Sequence, residues 1–223
     1  MSLIGENMKH IIFDFDGTLT EGKGNVWKNI YKTLGYSVGP NSKYKKDLRR
    51  FLDGKLGYND WCKINAGDYR RKKLSKDIIN KLADEIVLFD DAIDVLKTLH
   101  SKGYRLHIVS GNIGYVINRV LGENKRYFEN ISANEFVFSG DSFQDIVPTK
   151  YDCEGKALYV EELISSGVAK NDIYFIGNGI NDEWVASTGC KTICINPEDT
   201  DATNTNIWHR AVGVLSEIID IVR

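Results

Sequence analysis

The stretch Ile11-Ile12-Phe13-Asp14-Phe15-Asp16-Gly17 constrains the fold more than any other part of the sequence. A short apolar run near residues 9–14 reads as a strand buried on both faces, the kind found in a covered parallel sheet. Two carboxylates at the end of such a strand are costly to bury unless something cationic meets them. Gly17 lets the chain turn away sharply behind them. Paired carboxylates in this position suit a hard metal ion and a phosphate, one aspartate attacking and the other handling a proton. Open α/β sheets bind ligands beyond the carboxyl ends of their strands, so the polar residues that follow each strand are the ones to examine.

Behind this strand the pattern turns helical. From about 26 to 88 aromatic and basic residues interleave, with Trp27, Tyr31, Tyr44, Tyr58, Trp61 and Tyr69 prominent. Gly22 and Gly24 loosen the entry, and Gly35, Gly39-Pro40 and Gly54 to Gly57 divide the stretch into short helices. Residues 23–88 carry 16 Lys and Arg against 7 Asp and Glu, whereas the remainder carries 13 against 24. A basic segment in an acidic chain reads as a separate unit, which either steers an anion to a cleft or keeps its own faces solvated.

After the insert, Asp90-Asp91 is placed to cap a helix whose Ala92, Val95, Leu96 and Leu99 share one face, with Gly103 closing it. A strand over 105–109, a helix over 113–121 and a hairpin over 136–147 around Ser139-Gly140 follow. The rest reads as helix 156–166, strand 173–177, helix 181–188, strand 191–195 and a last helix near 215–222. Strands alternating with helices indicate an α/β, Rossmann-like, doubly wound parallel sheet. The expected division is a core of 1–22 and 89–223 interrupted once by a small helical unit of 23–88.

Composition narrows the class. With 42% hydrophobic and 27% charged residues the chain reads as a soluble globular protein. No apolar run approaches the ~20 residues that cross a bilayer, and the start, where residues 1–7 show no pattern, lacks signal-peptide design. Cys62, Cys153, Cys190 and Cys194 form no metal-binding spacing and read as reduced thiols, with a cytoplasmic location as the default. His10, His100, His107 and His209 follow no catalytic spacing and read as structural.

Three further strand ends carry candidate chemistry. Ser110-Gly111-Asn112 follows a strand and opens a helix, where a hydroxyl and free N–H groups hold phosphate, although a plain helix cap explains Ser-Gly equally well. Lys156, after Gly155, stands in a first helical turn that favours negative charge. Alone it reads as a surface lysine; in register with the other motifs it points at an anion. Gly177-Asn178-Gly179-Ile180-Asn181-Asp182 ends the strand at 173–177.

These four strings, in this order, resemble the motifs of the haloacid dehalogenase-like superfamily, and within it the phosphoserine phosphatase-like branch. The resemblance implies a type-1 helical cap for the insert and a phosphatase acting through an aspartyl phosphate on Asp14. It implies Asp16 as the proton shuttle, Lys156 as charge compensator, and Thr18, Ser110, Gly111, Asn112 and Asn181 on the substrate and phosphate side. It implies Mg2+ held by the Asp14 carboxylate, the Asp16 carbonyl and residue 178, with Asp182 beside the metal. The family pattern has aspartate where this chain has Asn178, an oxygen donor without charge. The expected partner is a small phosphorylated molecule, with no nucleic acid and no membrane. Phosphoserine is expected to be a poor substrate, because the glutamate and arginine that recognise it in its phosphatases fall on Lys23 and Asn65, unless Glu21 or Arg70 substitutes. A phosphotransferase or phosphomutase, and a phosphate-binding regulator, are the alternative readings.

Overall fold

The computed structural model describes residues 8–22, 25–197 and 207–222. Seven strands, β1 (His10–Phe13), β2 (Arg105–Ile113), β3 (Phe128–Ser139), β4 (Ser142–Val147), β5 (Ile173–Gly177), β6 (Lys191–Ile195) and β7 (Arg210–Val212), form one sheet in the order β4-β3-β2-β1-β5-β6-β7. All neighbours are parallel except β3 and β4. β1 is central, with β2 on one side and β5 on the other, so the strand order reverses there and opens a crevice at its carboxyl end.

The helices are α1 (Val26–Thr33), α2 (Lys43–Leu52), α3 (Tyr58–Arg71), α4 (Lys76–Asp84), α5 (Ala92–Ser101), α6 (Gly114–Leu121), α7 (Glu154–Ser165) and the short α8 (Ile218–Ile221). Alternate strand residues face opposite sides. Ile11, Phe13 and Ile176 pack with α5 and the C-terminal segment, while Ile12 and Phe175 pack with Val160 of α7. His10 and His107 lie on the α7 side as structural residues, His10 Nδ1 being 3.0 Å from His107 Nε2 and the Tyr159 hydroxyl 3.1 Å from His107 Nδ1. Burial, with the neighbouring His10 charge, pushes His107 down to about 4.

The inserted helices begin as the glycines and polar caps dictate. Asn25, Ser42 and Ser75 accept the amides of Lys28, Lys45 and Ile78 at the starts of α1, α2 and α4. Entry and exit are tied by backbone bonds from Glu21 N to Val87 O (3.0 Å) and from Phe89 N to Leu19 O (3.0 Å). The aromatics form a core: Trp27, Tyr31, Tyr44, Trp61 and Tyr69 are buried together, and this core runs on into Phe136 and Phe143 of the β3–β4 hairpin. Asp68, buried within it, accepts from Tyr31 Oη, Lys43 Nζ and Arg71 Nη1.

Five sequence expectations change. The strand expected over 105–109 runs on, past an irregularity in its pairing with β3, to Ile113, so Ser110-Gly111-Asn112 belong to the end of β2 and the helix starts at Gly114. Asp91 does not cap α5 with its side chain; it accepts the Ser216 amide at 2.8 Å and ties α5 to the C-terminal segment. The 136–147 hairpin is the end of a longer strand, since β3 starts at Phe128 and pairs with β2 before turning. That half was hidden because Asn130, Ser132 and Asn134 interrupt the apolar pattern. Residues 180–188 form a 3-10 helix rather than an α-helix, and β7, three residues long, gave no signal.

Candidate active site

The carboxyl ends of β1, β2 and β5 meet at one cavity of about 420 Å³, whose lining includes Asp14, Asp16, Ser110, Gly111, Asn112, Asn178 and Asn181. β1 places Asp14 by continuing its ladder one residue, with Asp14 N donating to Ile176 O at 2.9 Å. The chain then turns through Gly17, whose φ of +72° and close approach leave no room for a side chain: a Cβ there would collide with the Asn178 amide.

Lys156 is fully buried behind the carboxylates. Its Nζ lies 3.1 Å from Asp14 Oδ1 and 2.6 Å from Asp182 Oδ1. Burial alone would lower this lysine, but the charges of Asp14, Asp182 and Asp152 outweigh it and raise it, so it stays protonated. Asp182 uses its other oxygen to accept the amides of Asn178 (2.9 Å) and Gly179 (2.8 Å). Burial lifts it to about 6 against the pull of Lys156. Asp182 therefore fixes the 178–179 loop and Lys156 at once.

Asp16 is handled differently. Asn112 Nδ2 donates to both of its carboxyl oxygens, at 2.8 and 2.9 Å. Burial, then the Asp14 charge, raises its carboxyl to about 7 despite that contact. A carboxyl near neutrality can both give and take a proton. Ser110, buried, accepts the Asn112 amide at 3.3 Å.

The expected residues thus converge with one exception. Thr18 is fully buried, does not line the cavity, and its hydroxyl has no hydrogen-bond partner. Lys156 and Asp182 act from beneath the lining. Asn65 lies inside α3, donating to Trp61 O at 2.6 Å, and Arg70 bonds Gln144 O and Asp145 on the hairpin; neither lines the cavity. Lys23 and Gly24 lie outside the described residues.

Three residues of the site are not expected there from the sequence, which marks Trp27 only as one of the insert's aromatics. Asn134, fully buried on β3, donates to Gly111 O (2.8 Å) and Asn112 O (3.3 Å) and accepts from Tyr58 Oη and Thr149 N, both at 2.9 Å. Trp27 Nε1 of α1 also donates to Gly111 O, at 3.0 Å. The Gly111 carbonyl is thereby pinned from two sides, which fixes the peptide planes of residues 110–112 at the end of β2. Asp152 lies against Gly111, where it accepts the Cys153 amide at 2.8 Å. An inward polar residue on a strand was the one signal for Asn134; nothing local marked the others.

The donor set fits a hard cation. The Asp14 carboxylate, whose Oδ1 meets the Lys156 ammonium at 3.1 Å, lines the cavity with the Asp16 carboxyl and the Asn178 amide, so charged and neutral oxygens are at hand. Among the described residues no three His, Cys, Asp or Glu side chains cluster for a metal, and residue 178 brings an amide.

A family model described as haloacid dehalogenase-like hydrolase matches residues 8–187. The chain belongs to this family. It is similar to phosphoserine phosphatases: 22% identical over 202 residues to that of Archaeoglobus fulgidus, covering 89% of this chain and 55% of that protein. It is 24% identical over 181 residues to that of Methanocaldococcus jannaschii, covering 78% and 79%. The chain thus spans about half the length of the first relative. A substrate-bound phosphoserine phosphatase structure superposes with a TM-score of 0.76 at 19% identity, covering 98% of this chain and 100% of that one. Among the described residues no helix is long and apolar enough to cross a membrane.

Proposed function

We propose that this hydrolase is a magnesium-dependent phosphatase of small phosphomonoesters that works through an aspartyl phosphate on Asp14. The observation that carries the reading is the pairing of Asp14, set against the Lys156 ammonium at 3.1 Å, with Asp16, a carboxyl raised to about 7, in one cavity beside Ser110–Asn112 at the end of β2. A solved relative described as a phospho-aspartyl intermediate analogue of phosphoserine phosphatase supports it, with a TM-score of 0.74.

An Asp14 oxygen attacks phosphorus as the bond to the leaving oxygen breaks, and Asp16 gives that oxygen its proton. The Asp16 carboxylate then takes a proton from water, whose oxygen attacks phosphorus. The bond to Asp14 breaks, releasing phosphate and returning both aspartates to their starting forms. Ser110 Oγ and the Gly111 amide are the donors for the phosphoryl oxygens, and Lys156 offsets charge on Asp14. When bound, Mg2+ supplies further charge neutralisation at the phosphoryl group; the Asp14 carboxylate, the Asp16 carbonyl and Asn178 would hold it. Residues 23–88 act as the cap that excludes water, over a catalytic core of 1–22 and 89–223.

The test is phosphate release from a panel of phosphomonoesters, with magnesium and with chelator. Release that needs magnesium supports the reading. No release from any ester overturns it in favour of a phosphate-binding protein, the alternative that Asn178 favours.

A further inference from the structure

The cavity has a second wall that the phosphoryl chemistry does not use. Trp27, Leu48, Phe51, Leu52 and Trp61 line it from α1, α2 and α3, and Ile180 lines it from the opposite lip. The rings hold one another: Trp27 and Trp61 centroids are 4.8 Å apart, and Phe51 stacks on Trp61 at 5.6 Å. Trp27 spends its N–H on Gly111 O, so it keeps only apolar surface for a ligand.

The charge around this wall is of one sign. The charged residues that line the cavity are Asp14, Asp16 and Asp152, and among the described residues no lysine or arginine does. The cations of the insert point outward instead, with Lys43, Arg50, Lys55, Lys63, Arg71 and Lys81 all more than half exposed. A carboxylate seated against this wall would lose its water, face Asp152 and meet no lysine or arginine among the described residues. An apolar or aromatic group would meet matching surface.

We propose that this wall is the leaving-group site for phosphomonoesters of apolar and aromatic alcohols, and that it rejects leaving groups bearing a carboxylate. The proposal rests on the phosphatase reading and sharpens it. It sets this chain apart from relatives named for phosphoserine, whose leaving group is an amino acid.

Benzyl phosphate, phosphoethanolamine and phosphoserine test it, because all three are esters of primary alcohols with similar demands on the acid. The expected order of kcat/KM is benzyl phosphate, then phosphoethanolamine, then phosphoserine, with at least roughly tenfold between first and last. Phosphoserine equal to or ahead of benzyl phosphate overturns the proposal. Leu52→Arg places a cation on this wall at a position 57% exposed in the native chain. It should raise the ratio of phosphoserine to benzyl phosphate turnover several-fold; an unchanged ratio places the leaving group elsewhere and overturns the proposal. Calorimetry with benzylphosphonate and 2-amino-3-phosphonopropanoate reads the same preference without turnover. If no ester is hydrolysed, the phosphatase reading fails, while tighter binding of benzylphosphonate still supports the wall and tighter binding of the amino acid phosphonate overturns it.

Discussion

On the core side of the cavity, side chains are fixed by charge and hydrogen bonds. Lys156 spans Asp14 and Asp182, Asn112 grips both oxygens of Asp16, and Asn134 pins the Gly111 carbonyl, which Trp27 also reaches from the cap. On the cap side, Leu48, Phe51 and Trp61 are held by packing alone within an aromatic cluster. The two sides respond to change on different scales. A buried ion and its partners depend on single atoms, so an isosteric swap there alters chemistry while leaving volume alone. A packed apolar wall tolerates changes of similar volume and is tuned by shape. Chemistry should therefore be lost on one side, and selectivity shifted on the other.

The largest break comes from Asp14→Asn, which keeps the shape and removes the nucleophile. Turnover should fall by at least about 10³-fold, with thermal unfolding unchanged within a few degrees. Substantial residual activity in the purified variant contradicts the assignment.

Asp16→Asn should cost about 10²–10⁴-fold on benzyl phosphate and less on p-nitrophenyl phosphate, whose leaving group needs no proton. The same role fixes a pH dependence. Only protonated Asp16 can serve the leaving oxygen, and its carboxyl is raised to about 7, so kcat on benzyl phosphate should fall as pH rises through that value. Equal losses on both esters would remove Asp16 from protonation of the leaving oxygen and leave it only its role toward water.

Asn134 touches no substrate and acts through the end of β2. Asn134→Ala frees one side of the Gly111 carbonyl and should lower kcat by roughly 10- to 100-fold in folded protein. Trp27→Phe, which keeps a ring and removes one donor, should cost only a few-fold. Normal kcat in a folded Asn134→Ala protein would show that the end of β2 holds itself.

The smallest effect is expected at Asn178. Asn178→Asp should tighten magnesium by about tenfold, or ~1.4 kcal/mol, seen as a leftward shift in a magnesium titration of turnover and by calorimetry. The added charge also repels phosphate and raises Asp16, so saturating magnesium should shrink or reverse the gain. Equal or weaker affinity removes Asn178 from the metal's ligands.

The same contrast explains what the sequence disclosed. Asp14, Asp16, Ser110 and Asn178 each follow an apolar strand directly, so a local rule places them at one end of one sheet. The cap helices were legible for a related reason: Gly35, Gly39-Pro40 and Gly54 to Gly57 fall between them. Asn134 and Asp152 were not legible, because the Gly111 peptide that both meet lies more than twenty residues away, and the meeting depends on how β3 and the 149–153 loop pass it. Nor was the apolar wall, which collects Trp27 from α1, three residues from α2 and Trp61 from α3, residues that mark themselves only as core. Thr18 shows the opposite case, since its place in a strong motif leaves it buried and off the cavity lining.

The central claim is a covalent phosphoryl transfer through Asp14, and the stereochemical course at phosphorus tests it most directly. Hydrolysis of an isotopically chiral phosphomonoester by the wild-type protein passes, on this account, through two in-line displacements, so the released phosphate should show net retention of configuration. Net inversion would mean one direct attack by water and would contradict the aspartyl phosphate.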